Sequence, residues 1–284
     1  MTGRRLSVVI PAHNEAAVID RLLATVTADP RADQFEIVVV ANGCSDDTAA
    51  RARAHDGVQV VEIAAASKIA ALNAADAAAS AFPRAYVDAD VMIDADALFA
   101  LADVLSTDGV EIASPRLVVD TSAASWAVRQ HYRIWELSDY RRSGHIGSGV
   151  YALSQAGRAR FAEWPDVIAD DRFVQQLFLP AERATLDDHA FTVRSARDMR
   201  SHINRSVRIA RGNQELPSSM QNASAPSTAS RGGLVARVAR RPSLWLPFAV
   251  YCVSWTAPNL LARRAIKQSK ERTWNRDQTS RASA

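Results

Sequence analysis

The chain has 284 residues, of which 48% are hydrophobic, and a formal net charge of +3. This size and apolar fraction exclude a mostly disordered chain and suit one large domain, alone or with an appendage. So small a net charge gives no argument for nucleic acid as a partner. The only cysteines, Cys44 and Cys252, suggest neither a disulfide framework nor a zinc site, so we expect a reducing compartment.

Four short apolar runs in the first ninety residues predict strands that are buried on both faces of a parallel sheet. The stretches between them have helical character, which gives the order β-α-β-α-β-α-β of a doubly wound α/β sheet. Ligands of such sheets bind at the carboxyl ends of the strands. The four strands are predicted over residues 6–10, 36–40, 58–63 and 85–87.

Predicted strands and helices alternate less regularly in the second half of the chain. We expect long helices over residues 125–140 and 197–213, the second of them rich in basic residues. A glycine-rich loop occupies residues 144–154, and an acidic loop leads into a helix at 166–178. Residues 217–232 are rich in Ser, Gly, Pro and Asn, a composition that predicts a linker or loop.

Two carboxylates, Asp88 and Asp90, follow the fourth predicted strand in the stretch YVDADVMI. Alternation along a strand would point both to one face, where like charges repel each other unless a cation intervenes. Mg²⁺ or Mn²⁺ meets that need, because these hard cations prefer oxygen ligands and often keep positions for phosphate. The pair therefore favours a metal-bound diphosphate, and a solvated turn after a strand is the simpler alternative.

Four segments resemble, in order and spacing, the inverting family 2 glycosyltransferases: VVIPAHNEAAVI, VVVANGCSDDTA, SKIAALNAADAA and YVDADVMI. The resemblance covers roughly residues 6–212. It implies the GT-A nucleotide-sugar-binding fold, an α/β fold with a doubly wound, mostly parallel sheet, here with a basic helical C-terminal extension. Its first half is expected to bind the nucleotide and its second half the acceptor. We expect the GT-A domain over residues 1–215.

The resemblance also implies a set of donor-binding residues at the strand ends. The loop after the first strand holds the base and ribose, the loop after the second lies against the base, and a lysine lies near the phosphates. Relatives often carry an Asp pair where this chain has Ala41–Gly43, and Ser67 replaces the glycine before the lysine. The implied residues are Pro11, His13, Asn14, Glu15, Asn42, Asp46, Lys68 and Asp88, with Asp90 as the main metal ligand.

The implied acceptor side lies in the second half. Gly147 and Ser148 resemble the small-residue loop beside the sugar, although a simple turn before a strand is an alternative. Asp170 and Asp171 match the Glu-Asp pair whose second member is the base, with a helix cap as the alternative. Arg208 is retained from the Gln-x-x-Arg-Trp of processive relatives and could hold the diphosphate. The missing Gln and Trp argue against a polymerase of the cellulose-synthase type.

The implied reaction is a single displacement that inverts the anomeric centre. Asp171 takes the proton of an acceptor hydroxyl, and the metal on Asp90 neutralises charge on the departing diphosphate. The expected product is a polysaccharide or glycolipid. The alternatives are a non-catalytic nucleotide-sugar-binding relative and a sugar-nucleotide pyrophosphorylase, which expects a glycine-rich basic loop where PAHNEA stands. A dehydrogenase is disfavoured, because no G-x-G-x-x-G follows the first strand.

Residues 242–262 carry no charge and are flanked by basic residues on both sides. Their length is about that of a membrane-spanning helix, but Pro247 and Pro258 disfavour one straight span. We expect a linker over 216–241 and a membrane-associated segment with a basic tail over 242–284, lying in the cytoplasmic interface of the cell membrane. A hydrophobic tail that packs on the catalytic domain is the alternative.

Overall fold

The computed structural model describes residues 3–138, 146–166, 170–215 and 231–267. The strands of these ranges are β1 Leu6–Ala12, β2 Phe35–Asn42, β3 Val58–Ile63, β4 Arg84–Val87, β5 Val91–Met92, β6 Ile112–Asp120, β7 Val150–Leu153 and β8 Arg183–Arg194. The helices are α1 Ile19–Thr27, α2 Thr48–Arg53, α3 Lys68–Ala78, α4 Ala95–Val104, α5 Trp126–Trp135, α6 Gln155–Arg158, α7 Asp170–Gln176, α8 Met199–Glu215, α9 Arg231–Ala239 and α10 Trp245–Lys267. Short 3₁₀-helices occupy Ala32–Gln34, Pro180–Glu182 and Pro242–Leu244.

The strands form one sheet in the order β3-β2-β1-β4-β7-β6-β8-β5. Its first half is parallel, because β1 pairs with both β2 and β4, and β2 pairs with β3. Successive side chains of a strand point to opposite faces. Val8 and Ile10 therefore pack with α1 and α4 on one face, while Val9 packs with α3 on the other. Burial on both faces explains why these strands are continuous apolar runs in the sequence.

The second half of the sheet is mixed. β7 runs antiparallel to β4 and β6, β8 runs parallel to β6, and the short β5 runs antiparallel to β8. β7 therefore begins at the end of the sheet where β1, β2 and β4 finish. We call this the carboxyl end, and the opposite side, where the parallel strands start, the amino end. The loop before β7 is thereby brought to the strand ends where ligands of parallel sheets bind.

The structure corrects one step of the sequence argument. β4 ends at Val87, so Asp88 and Asp90 lie in a turn in which the Val91 amide donates to the Asp88 carbonyl over 3.2 Å. Alternation along a strand was therefore the wrong reason to expect the two carboxylates on one face. Their side chains have different neighbours.

The C-terminal helix α10 packs on α5 and α8. Ile134 of α5, Val238 of α9 and Leu244 form a small buried cluster there, with Phe248 and Tyr251 of α10 packed against it. Within the predicted linker 216–241, residues Arg231–Ala239 form a helix. Residues 216–230 of that linker and the basic tail 268–284 lie outside the described residues.

None of the helices within the described ranges combines the length and the apolar character that crossing a membrane requires.

Candidate active site

The loops after β1 and β2 are joined by hydrogen bonds at the carboxyl end of the sheet. Asn14 has a positive φ of 51°, and its side-chain oxygen accepts a hydrogen bond from the Ser45 amide over 2.7 Å. The His13 Nδ1 lies 2.5 Å from the Asn42 carbonyl oxygen and must carry the proton, because a carbonyl only accepts. The buried Glu15 donates its amide to the Thr48 hydroxyl over 2.7 Å. Most of the predicted donor residues therefore belong to one hydrogen-bonded unit.

Asn42 ends β2 with a side chain that is only 1% exposed. Its amide nitrogen Nδ2 has no hydrogen-bond partner among the described residues. An unsatisfied buried donor costs about 1–3 kcal/mol, so this group is suited to a ligand that accepts a hydrogen bond. The next residue, Gly43, has a φ of +58°, and a Cβ there would lie 2.8 Å from the backbone of Ala66. Glycine at this position lets the loops after β2 and β3 come into close contact.

Asp46 is largely occupied by the protein itself. Its carboxylate accepts hydrogen bonds from the amides of Ala16 and Thr48 and from the Thr48 hydroxyl. Burial acts to raise the pKa of Asp46, but these hydrogen bonds outweigh it and leave the pKa below its ordinary value. Asp46 therefore fixes the β1 and β2 loops onto α2.

Lys68 joins the two predicted carboxylate pairs. It is the first residue of α3, and the Ser67 side chain caps this helix by accepting from the Ala70 amide over 3.2 Å. The Lys68 ammonium lies 2.8 Å from an Asp88 oxygen and 2.9 Å from an Asp170 oxygen. Burial acts to lower the pKa of Lys68, but the two carboxylates outweigh it and raise the pKa. Lys68 therefore stays protonated between Asp88 of the first half of the chain and Asp170 of the second half.

Asp170 begins α7 and is only 3% exposed. Besides Lys68, it accepts a hydrogen bond of 3.0 Å from the Tyr151 hydroxyl. Burial, together with the charges of Asp171 and Asp88, raises the pKa of Asp170 against the opposing effect of Lys68. Tyr151 was not among the residues predicted from the sequence. The signal available was a tyrosine in the apolar strand after the glycine-rich loop, where a buried hydroxyl needs a partner.

Asp171 is held by backbone amides. Ser148 donates to one carboxylate oxygen over 2.9 Å, and Arg172 donates to the other over 2.7 Å. Gly147 has a φ of +104°, and a Cβ there would lie 2.7 Å from the Asp171 Cβ. Ser148 is also left-handed, with a φ of 64°. The Gly149 carbonyl accepts from the Asp88 amide over 2.8 Å, so this loop contacts both carboxylate pairs.

The remaining predicted residues have less direct positions. Asp90 is half-buried, and its charge acts on Arg21 of α1, whose pKa is nevertheless lowered by burial and by Arg194. Pro11 lies within β1 opposite Val40. Arg208 lies on α8, the helix that packs against α10 and α5. Within the described ranges, no group of three or more His, Cys, Asp or Glu side chains forms a metal site by itself.

The family model described as Glycosyl transferase family 2 matches residues 7–163, which is more than half of the chain. The chain therefore belongs to this family and is a glycosyltransferase. Membership favours glycosyl transfer over the pyrophosphorylase alternative. No curated protein sequence matches the chain.

Three solved structures are similar to this one. The mannosyltransferase PcManGT from Pyrobaculum calidifontis, in complex with GDP-Man and Mn²⁺, aligns with a TM-score of 0.66 and 21% identity, over 95% of this chain and 88% of its own. TarS 1–349 from S. aureus, in complex with UDP, aligns with a TM-score of 0.51 and 14% identity, over 96% of this chain and 94% of its own. Glucosyl-3-phosphoglycerate synthase from Mycobacterium tuberculosis, with Mn²⁺, UDP-glucose and phosphoglyceric acid, aligns with a TM-score of 0.50 and 22% identity, over 68% of this chain and 72% of its own. These likenesses confirm the GT-A fold and the C-terminal helical extension.

Proposed function

We propose that the protein transfers a sugar from a nucleotide-sugar donor to an acceptor hydroxyl with inversion at the anomeric carbon. The observation that carries this proposal is the Lys68 bridge between Asp88 and Asp170. It brings the loop after the fourth strand next to Asp171 and the glycine-rich loop, at the end of the sheet where ligands bind. A donor and an acceptor can therefore meet between the two halves. The residues 1–215 that hold these elements are the proposed GT-A domain.

The donor nucleotide is assigned to the loops after β1 and β2. The unpartnered amide of Asn42 suits an acceptor atom of a base. Lys68 suits the phosphates, because its ammonium is fixed at the strand ends and charge-assisted hydrogen bonds are strong. PcManGT, which shares the fold, was solved with GDP-Man, and the synthase from M. tuberculosis was solved with UDP-glucose. A nucleoside diphosphate sugar is therefore the proposed donor class.

The carboxylates at the site fit a divalent cation. Mg²⁺ and related ions are bound through one or two carboxylates together with substrate phosphates, so a cage of three protein ligands is not required. Asp90 would hold the metal, with Asp88 beside it, and the ion would neutralise charge on the departing diphosphate. The two structures solved with Mn²⁺ support this choice of cofactor, Mg²⁺ or Mn²⁺.

Asp171 is the proposed general base. Both of its oxygens accept backbone hydrogen bonds, which fix the orientation of the carboxylate. It takes the proton of an acceptor hydroxyl, the acceptor oxygen bonds to the anomeric carbon, and the bond from that carbon to the diphosphate breaks. Asp170, paired with Lys68 and Tyr151, acts as a positioning residue. Arg208 is a further proposed residue for binding the diphosphate.

The proposed product is a polysaccharide or glycolipid, made in the cytoplasm at the inner face of the cell membrane. Support comes from the C-terminal region, where an apolar helix follows a run of basic residues. A carbohydrate or lipid-linked acceptor is consistent with an enzyme working at that surface.

Calorimetric titration of the full chain with UDP-, GDP- and dTDP-sugars, in Mn²⁺ and in EDTA, tests the proposal. We expect one donor class to bind in Mn²⁺ and at least about tenfold more weakly in EDTA, because the metal links the carboxylates to the diphosphate. Asp90→Asn should reproduce the EDTA result. Asp108→Asn is the matched control, because Asp108 is exposed and precedes β6 at the amino end.

Two results would contradict parts of the proposal. Equal donor affinity in Mn²⁺ and in EDTA would show that donor binding does not depend on a metal. Donor binding without transfer to any acceptor, and without slow hydrolysis of the donor, would favour the non-catalytic relative.

A further inference from the structure

The C-terminal helix α10 has two apolar faces. One face packs on the domain: Leu244 just before the helix, Ser254 and Pro258 are buried, and the Ser254 hydroxyl lies 2.6 Å from the His131 Nδ1 of α5. The other face is exposed. Helices that lie on a protein surface normally turn polar residues outward, so a second apolar face requires an explanation.

The exposed face forms a continuous stripe. Of the eleven exposed large apolar side chains in the described ranges, six lie on α10, and four of these six belong to the stripe. At 3.6 residues per turn, the stripe covers an arc of roughly 100°, opposite the packed face. The single hydroxyl within it, that of Thr256, donates to the Cys252 carbonyl over 2.7 Å and is satisfied inside the helix. The stripe, which we call the α10 outer face, consists of Trp245, Leu246, Ala249, Val253, Thr256 and Leu260.

The chain segment that carries this face has charges of one sign only. Residues 231–267 contain seven basic residues and no acidic one. Arg240 and Arg241, directly before the helix region, are exposed. An apolar stripe bordered by cations is complementary to an anionic lipid surface, where each Lys or Arg adds attraction and tryptophans prefer the interface.

A second copy of the chain fits this face less well. A symmetric dimer through the α10 outer face would place the same basic segment on both sides of the interface, because such interfaces are self-complementary. Like charges would then face each other without acidic partners from residues 231–267. A bilayer provides both an apolar layer and negative charge.

We propose that the α10 outer face is a membrane-docking surface that lies in the headgroup region of an anionic bilayer. The helix lies in the plane of the membrane, with its other face still packed on α5 and α8. The sequence left open whether this segment lies on the membrane or packs on the domain, and the packed side of α10 leaves only its outer face for lipid. The inference deepens the proposed location by naming the surface responsible for it.

Co-sedimentation with sucrose-loaded vesicles tests the inference on the full chain. Wild-type protein should bind vesicles of phosphatidylglycerol and phosphatidylcholine, and high salt should weaken this binding without abolishing it. Leu246→Glu should lower the vesicle partition coefficient at least about tenfold, because burial of one leucine is worth one to two decades. Arg240→Gln should lower it about fivefold at low salt.

Leu179→Glu is the matched control. Leu179 is 68% exposed and Leu246 is 62% exposed, and both substitutions exchange the same side chain for the same charge. Vesicle binding by Leu179→Glu should equal that of the wild type. The inference is overturned if the wild type ignores vesicles, or if both variants lose binding equally. It is also overturned if lipid-free protein is a dimer that Leu246→Glu dissociates.

Donor binding separates this inference from the catalytic proposal. Without vesicles, Leu246→Glu should bind nucleotide sugar with wild-type affinity, because α10 is not part of the proposed donor site. If vesicle binding fails while donor binding and transfer persist, the docking surface is wrong and the catalytic proposal stands.

Discussion

Carboxylates lie at both ends of the sheet, and they differ in how their oxygens are used. At the amino end, Glu36 and Asp76 are surrounded by donors from the protein. At the carboxyl end, Asp88 pairs with one lysine and keeps 38% of its side chain exposed, and Asp171 is held by two backbone amides. Only the second kind of carboxylate leaves room for a ligand.

Glu36, at the start of β2, accepts hydrogen bonds from the hydroxyls of Ser7 and Ser80 and from the amides of Ser80 and Ala81. Arg4 adds a fifth at 3.1 Å. Burial acts to raise the pKa of Glu36, but the hydrogen bonds outweigh it and lower the pKa to about 2. This carboxylate ties β1, β2 and the turn before β4 together.

Asp76, near the end of α3, has four donors. The Tyr86 hydroxyl and the Trp164 indole each donate over 2.7 Å, Arg158 donates over 2.8 Å, and Arg84 forms an ion pair with it. Only a tenth of the side chain is exposed. A carboxylate whose lone pairs are all used by protein donors stabilises the fold. A carboxylate that is held by backbone amides and is partly open to solvent can also contact a substrate.

The largest expected effect is at the carboxyl end. Asp171→Asn should lower the rate of transfer about 10²–10⁴-fold, because the amide cannot take the acceptor proton. Donor affinity should stay within about twofold of wild type, because the proposed role of this side chain is on the acceptor. Steady-state kinetics and calorimetry on the same preparation measure both, with Asp108→Asn as the control. Near-normal turnover would place the base elsewhere.

At the amino end the effect should be on stability. Asp76→Asn leaves the Arg84 guanidinium, only 4% exposed, without its counter-charge. Removing one partner of a buried ion pair typically costs about 3–5 kcal/mol. Urea unfolding should show this loss, while exposed Asp33→Asn should stay within about 0.5 kcal/mol of wild type. A loss of donor affinity in folded Asp76→Asn protein would contradict the division between the two ends.

The Glu36 carboxylate predicts a pH dependence. Its pKa is about 2 in the folded protein and 4.5 for an ordinary glutamate, so its ionised form stabilises the fold above pH 4.5. About 3 kcal/mol is lost as the pH falls from 4.5 to 2. Wild type and Glu36→Gln should therefore converge in unfolding free energy over this interval. If their difference is constant from pH 7 to pH 2, the stabilisation does not come from ionised Glu36.

The smallest expected effect is that of a substitution at Lys68, which lies between the two carboxylate pairs. Lys68→Met should weaken donor binding about tenfold, the value of one lost charge-assisted contact. It should also destabilise the fold, because Asp170 then lacks its cation. The double variant Lys68→Met/Asp170→Asn should regain stability without regaining donor affinity. Recovery of both properties would show that Lys68 acts only through Asp170.

The fold was largely predictable from the sequence, because strands buried on both faces must be apolar runs and the parallel order follows from the helices between them. The proximity of Asp88 and Asp170 was not. It depends on Lys68 reaching across from α3, and on β7 running antiparallel to β4, which no local pattern specifies. The sequence suggested Asp88 by its place after an apolar run, and Asp170 only through resemblance.

The two faces of α10 were also beyond sequence analysis. Residues 242–262 carry no charge, so the sequence has no charged face that would show which side is covered. Contacts with α5 and α8, which are distant in sequence, decide it. Glu36 and Asp76 were missed for a similar reason, because their donors come from segments up to 88 residues away.

Asn14 and Ser148 are the non-glycine residues with positive φ in the described ranges, and both lie in loops at the carboxyl end. Such conformations cost of order 1–3 kcal/mol each, and glycine removes much of that cost. A library of variants selected only for survival at high temperature should therefore become enriched in glycine at Ser148, whereas at Asn14 the same change would also remove the hydrogen bond from the Ser45 amide. The survivors would unfold at a higher temperature and turn over more slowly, because the loop that holds Asp171 would have lost its fixed shape.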